Sequence, residues 1–330
     1  MENYSYSKID TYDQCPFRFK LQYRDGHYPQ VSNAAIAFGI LVHKIFELQT
    51  SALMSGQKVN YDQLKDYFLN VNIPKKNARD REGDIFGAEI LSKRFEKEWG
   101  VEDKTGKTYF DKTQDFLNAG IYRLENYLNE NPDLKLVGAE IPFEFEYRKY
   151  KFKGFIDRVL QYKTDPKHFV VHDIKTSAKA YDDKKCVSPM QMAIYVRALR
   201  EQYGEDIKVD CFYEFPVANE MKAAGTKGFE ARCMRKLNAL LDSIEAHEWE
   251  PNPSPLCYWC AFSNTNPDQP PACRNLCPYY SLYRPGKSTF DTKLPWLGID
   301  KHEEQVKKLL EIEAMEGQSN GDPSKFEFYF

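Results

Sequence analysis

Over roughly the first 130 residues, apolar positions recur at intervals of three and four, the spacing that gathers them on one helix face. TYDQCPFRFKLQYRDG predicts a short helix from about Ser7 or Asp10, broken and resumed around Pro16. IAFGILVHKIFELQTSALMSG predicts one long helix ending at Gly56. YDQLKDYFL, AEILSKRFEKEW and DKTQDFLNAGIYRLENYLNE continue the helical period, with KKNARDREGD as a polar loop among them.

After Pro132 the period changes. LVGAEIPFEFEYRK, FKGFIDRVLQY and HFVVHDIKTS have strand length and composition, with turns at YRKYK and KTDPKH. MQMAIYVRALREQYG is a helix closed by Gly204, KVDCFYEFPV a strand, and EARCMRKLNALLDSIEAHEWE a helix ended by EPNPSPL. KHEEQVKKLLEIEAM predicts a helix in the tail and SNGDPS a loop, and no internal repeat is visible. The order predicts a mixed α/β fold behind a helical N-terminal region. Three strands form a meander, and a fourth is added across the helix that starts at Met190.

Composition allows a large core: 42% of the residues are hydrophobic, with 22 Tyr and 22 Phe, which excludes extensive disorder. The net charge of −3 gives a nucleic-acid partner no overall attraction, so such a partner needs a local basic surface. Candidate basic clusters are RKYKFK, KHFVVH and KAYDDKK, where lysines and aromatics alternate as on single-strand binding surfaces. The N-terminus lacks the apolar run of a signal peptide, and no stretch reaches 18 apolar residues, so a soluble protein of a reducing compartment is expected.

Chemistry concentrates in two places. In HFVVHDIKTS, Asp173 and Lys175 are two apart and share a strand face with Val171, while Ile174 faces the other way. The strand before it carries Asp157 after Gly154, where glycine allows a close approach or a bulge. Two aspartates on adjacent strands, with the Ile174 carbonyl, suit Mg²⁺ or Mn²⁺. Lys175 would then orient a water or stabilise developing charge. The second place is the cysteines: CYWC and CRNLC bring Cys257, Cys260, Cys273 and Cys277 close in sequence, a spacing that fits a zinc site. Cys186, Cys211 and Cys233 stand alone and read as packing residues.

The ordered series GFIDRVL, DIKTS and QMAIY resembles the PD-(D/E)XK nuclease superfamily, and its RecB-type branch in particular, from about Tyr4 to Pro278. That branch includes phage exonucleases and the nucleases of CRISPR spacer acquisition. The resemblance implies a restriction-endonuclease-like core and a site made of His43, Asp157, Asp173, Lys175, Gln191 and Tyr195. The family's N-terminal segment matches Ser5, Ser7, Cys15 and Pro16, while Ile156 stands where its proline would precede Asp157. Glu140 is the candidate for an additional upstream acid, with Glu144 and Glu146 on the same face as competitors. Glu47, one turn after His43, is a candidate partner for it.

For Gln191 the resemblance implies a role at the metal's water or a phosphate, and for Tyr195 a contact to the DNA backbone, with helix packing as the alternative. It also implies a structural [4Fe–4S] cluster on Cys15, Cys257, Cys260 and Cys277, which leaves Cys273 spare and competes with the zinc reading.

These expectations place a nuclease domain at 1–285, with a helical insertion at about 57–131, an iron–sulfur segment made of 15 and 257–277 as a cysteine-rich C-terminal clip, and a helical tail at 286–330. The expected activity is exonucleolytic hydrolysis of single-stranded DNA or duplex ends, in recombination, repair or phage DNA processing. The setting would be the cytoplasm of a prokaryote or phage-infected cell. GxxxxGK[ST] is absent, so translocation would fall to a separate helicase. The alternatives are a structure- or sequence-selective endonuclease, including the spacer-acquisition type, and a zinc-containing nucleic-acid-binding protein without catalysis.

Overall fold

The computed structural model describes residues 2–29, 33–75, 84–252, 254, 256–257, 260–262 and 276–277. Cys273, the tail helix and most of KKNARDREGD lie outside them. The chain falls into two compact units, Met1–Tyr6 with Ser32–Asn238, and Ser7–Val31 with Ala239–Phe330.

The described elements run β1 (Glu2–Tyr4), α1 (Tyr6–Gln14), α2 (Pro16–Phe19), α3 (Ala34–Met54), α4 (Tyr61–Asn70), β2 (Asn72–Ile73) and β3 (Ile85–Phe86). Next come α5 (Ala88–Arg94), α6 (Glu96–Trp99), α7 (Tyr109–Asn118), α8 (Arg123–Glu130), β4 (Leu134–Tyr147), β5 (Tyr150–Tyr162) and β6 (His168–Ile174). The series closes with α9 (Asp183–Cys186), α10 (Met190–Tyr203), β7 (Lys208–Phe215), β8 (Glu220–Ala223) and α11 (Phe229–Glu245).

In the first unit β4, β5 and β6 form the expected antiparallel meander, and β7 joins β6 in parallel after α10. β4 occupies one edge of β5. β1, in parallel, and β6 share the other edge at different heights. Phe169 and Val171 pack with α10 residues such as Met192 and Val196, whereas Ile174 packs with α3 on the opposite face. The alternation read from HFVVHDIKTS therefore holds. Cys186, Cys211 and Cys233 are buried, as expected of packing residues.

Several details depart from the sequence pattern. β1, β2, β3 and β8 were not expected, because two to four residues are too few to set a period. DKTQDFLNAGIYRLENYLNE is two helices with a 3₁₀ turn at Gly120–Tyr122. A Cβ on Gly120 would lie 2.5 Å from the Pro216 carbonyl oxygen, so the chain turns where two backbones nearly touch. AEILSKRFEKEW also breaks, at Phe95.

By length and composition α3 is apolar enough to cross a membrane, although Lys44 and Glu47 interrupt its apolar run. Its Phe38, Leu41, Val42, Ile45 and Phe46 are buried in the core of this unit, which accounts for the hydropathy. Asn33 caps it by accepting from the Ile36 amide.

In the second unit Phe19 and Trp249 stack at 5.9 Å between ring centroids, and Tyr12 packs edge-on to both. Cys15, Cys257, Cys260 and Cys277 line one small cavity with Phe17, Leu21 and Phe262. A distinct cysteine-rich clip, as expected from the sequence, is not evident among the described residues.

Candidate active site

The site is set by strand register. β4 and β5 are joined by a two-residue turn, with Tyr147 opposite Tyr150 and Arg148 at φ +56°. Opposite charges keep that register outward of the site, Glu146 against Lys151 and Glu144 against Lys153. Further along, Ile141 pairs with Ile156 and Ala139 with Arg158, which puts Glu140 level with Asp157. The β5–β6 ladder ends at Arg158 and His172, so Asp157 and Asp173 come next on their strands. Three carboxylates thus form a row across three strands. Glu140 sits at φ +47°, a left-handed conformation that costs a non-glycine residue about 1 kcal/mol or more.

Where the β5–β6 ladder stops, side chains replace it. Asp157 Oδ2 accepts the Ile174 amide at 2.7 Å. His43, half-buried on α3, places Nε2 3.2 Å from the Ile174 carbonyl oxygen and Nδ1 3.2 Å from Glu140 Oε1. Its Nδ1 is 3.8 Å from Asp157 Oδ1. His43, Glu140 and Asp157 each offer a ligand atom within 4.8 Å of the others, a cluster able to coordinate a metal ion.

Asp173 is fully buried. Its Oδ2 is 2.5 Å from Lys175 Nζ, and its Oδ1 accepts from the Tyr195 hydroxyl at 3.5 Å. Gln191 closes the ring, accepting from Lys175 at 3.2 Å and donating to Tyr195 at 2.7 Å. The Tyr195 hydroxyl is therefore turned inward, where the sequence suggested a DNA-backbone contact. A Cβ on Gly154 would lie 2.7 Å from the Phe143 ring, which packs edge-on against Tyr195 at 5.9 Å. The close approach expected at Gly154 is thus to a side chain that buttresses the ring of Tyr195.

Charge is concentrated here. Burial pushes both aspartates up, Asp173 to about 6, although Lys175 and His43 oppose it. Burial works against the His43 cation, but Asp157, Glu140 and Asp173 outweigh it and raise its pKa to about 9. Lys175 is likewise raised, by Asp173 and Asp157 against burial. Of the competitors for Glu140, Glu144 pairs with Lys151 and Lys153; Glu47, the candidate partner for His43, pairs with Lys44.

The sequence reading missed the layer beneath the row. Arg158 and Glu214 are buried 2.6 Å apart, with His172 Nδ1 3.0 Å from Glu214. Nothing in the periodicity marks it, because these polar residues occupy core positions and each is legible only with its partners. Their position next to Asp157 and Asp173 is the one available signal.

Carboxylates, one imidazole and a backbone carbonyl beside a lysine form a hard-ligand donor set suited to metal-assisted hydrolysis. The sequence also matches the model of the PD-(D/E)XK nuclease superfamily over residues 3–265, and the chain belongs to that superfamily. Among solved structures it is similar to a "Putative exonuclease" from Eubacterium rectale, with a TM-score of 0.42 and 15% identity over 78% of this chain and 87% of that one. It is also similar to SSO0001, with a TM-score of 0.26 and 21% identity over 42% of this chain and 62% of that one. No curated protein matches it.

Proposed function

We propose that the protein is a Mg²⁺- or Mn²⁺-dependent deoxyribonuclease of the RecB-type branch, acting as an exonuclease on single-stranded DNA or duplex ends. The observation that carries this reading is the row Glu140–Asp157–Asp173 with Lys175 beside it and His43 above. His43, Glu140, Asp157, Asp173 and the Ile174 carbonyl would hold the cation. When bound, it withdraws charge from a phosphodiester oxygen and acidifies water. Lys175, held by Asp173 and Gln191, presents a fixed positive charge where negative charge develops on the phosphate. Gln191 and Tyr195 fix Lys175 and Asp173 through their hydrogen bonds. A neutral His43 would offer a ring nitrogen as one of the ligands.

The four thiols Cys15, Cys257, Cys260 and Cys277 fit a structural cluster, since all line one cavity. Burial, with Cys15 and Cys260 close by, pushes the Cys257 thiol up, a cost that a bound cation removes. The reading assigns them a [4Fe–4S] cluster and the protein a reducing cytoplasm, in recombination, repair or phage DNA processing, with unwinding supplied by a helicase partner. Linear and circular single strands of equal sequence test the mode of attack. An exonuclease degrades only the linear form, whereas cutting of the circle at a similar rate identifies an endonuclease.

A further inference from the structure

Alongside the carboxylate row, one face of α3 borders a groove of about 640 Å³. His43 and Glu140 line it, together with Ile36, Gly39, Ile40 and Phe155. The volume falls in the roughly 300–1,000 Å³ range of small-ligand pockets, the size class of nucleosides. Its apolar side chains are unusually open: Ile36 is 45% exposed, Ile40 36% and Phe155 44%. Singly, such residues need no explanation. Here they converge on the groove that leads to the metal-ligating cluster.

Gly39 adds an independent observation. It lies in the interior of α3, where glycine is less favourable than alanine. A Cβ there would meet only the Thr176 hydroxyl, at 3.6 Å, an ordinary contact. Packing among the described residues therefore does not require glycine. What the missing methyl group leaves is depth, one helical turn from His43, on the same face.

We propose that this groove is a nucleobase subsite. Phe155, with Ile36 and Ile40, takes the faces of unpaired bases, while Gly39 lets the sugar–phosphate chain pass low over α3 to His43 and Glu140. The occupant is a single strand, because bases in a duplex have their faces stacked and only their edges exposed. The inference rests on the nuclease reading and deepens it, naming unpaired nucleotides next to the scissile bond as what the site selects.

The test uses fluorescence anisotropy in EDTA, so that strands stay whole, with a short oligothymidylate and an abasic strand of equal length. The wild type prefers the intact strand. Phe155→Ala loses about 5- to 150-fold in affinity for it, the range for one base–aromatic stack, and the ratio of intact to abasic affinity collapses toward one. Gly39→Ala, whose added methyl group the fold accommodates, melts no lower than the wild type yet also binds the intact strand more weakly. Equal wild-type affinity for intact and abasic strands overturns the proposal, as does a Phe155→Ala protein that keeps the wild-type ratio. The two readings fail separately. Base preference without any metal-dependent cleavage defeats the nuclease and leaves the subsite, whereas cleavage without base preference defeats the subsite alone.

Discussion

Replacing Arg158 by Met should destabilise the first unit by about 3–5 kcal/mol, the usual cost of stripping one partner from a buried ion pair. Arg158 is 0% exposed and Glu214 1%, and the guanidinium also lies 4.8 Å from the centre of the Phe46 ring. Methionine keeps the stem against Phe46 but leaves Glu214 with His172 and a more distant Arg123, 3.6 Å away. The carboxyl itself shows the same electrostatic support. Burial pushes Glu214 up, but Arg158, the His172 hydrogen bond and Arg123 outweigh it and hold the pKa at about 2, against 4.5 when free. At about 1.4 kcal/mol per pH unit, that fall is worth on the order of 3 kcal/mol, shared by Arg158, His172 and Arg123.

The sign follows from the depressed pKa. The stabilisation is complete above pH 4.5 and is lost as pH falls toward 2. Urea unfolding followed by circular dichroism at pH 7 and pH 3 should therefore show the gap between wild type and Arg158→Met shrinking by about 2 kcal/mol at the lower pH. Adding Glu214→Gln to Arg158→Met should recover part of the loss, because the orphaned charge goes with it. A variant within about 1 kcal/mol of wild type at pH 7, or a gap that ignores pH, would refute the reasoning.

Other substitutions separate the site from its surroundings. His43→Ala and Tyr195→Phe should each lower metal affinity or cleavage by roughly 10–100-fold, measured by metal titration of the rate, as losses of a ligand and of a positioning hydrogen bond do. Glu144→Gln should leave cleavage and melting temperature at wild-type level, since its ion pairs with Lys151 and Lys153 are at the surface. Protein purified without oxygen should be brown with about four irons per chain. Cys15→Ser should lose that iron and Cys186→Ser should keep it, whereas one zinc per chain indifferent to Cys15 would assign the zinc reading.

The fold was readable where the period was long. The meander, α3 and α10 follow from apolar spacing alone, and the Asp–x–Lys parity placed Asp173 and Lys175 correctly on one face. Register carried more than was taken from it. With YRKYK as a turn, pairing Tyr147 with Tyr150 and counting inward sets Glu140 level with Asp157, and the Glu146–Lys151 and Glu144–Lys153 pairs support the same alignment. That count distinguishes Glu140 from Glu144 and Glu146, which share its face by parity. Short strands such as β1 and β8 escaped because pairing partners, not their own residues, define them. The Arg158–His172–Glu214 layer escaped for a related reason. A buried charge is tolerable only beside its partner, and the three lie on separate strands.

The carboxylate row, with its lysine, is expected to perform metal-dependent cleavage. Asp173→Asn tests it most directly, because the amide keeps the shape of a fully buried side chain while removing the charge that faces Lys175 at 2.5 Å. Cleavage of a linear single strand is measured against Mg²⁺ and Mn²⁺ concentration, with circular dichroism as the check on folding. The wild type should cut only with metal and fall silent in EDTA, and cleavage by the folded variant should drop to background at every metal concentration. Near-normal cleavage by folded Asp173→Asn, or wild-type cleavage in EDTA, would contradict it.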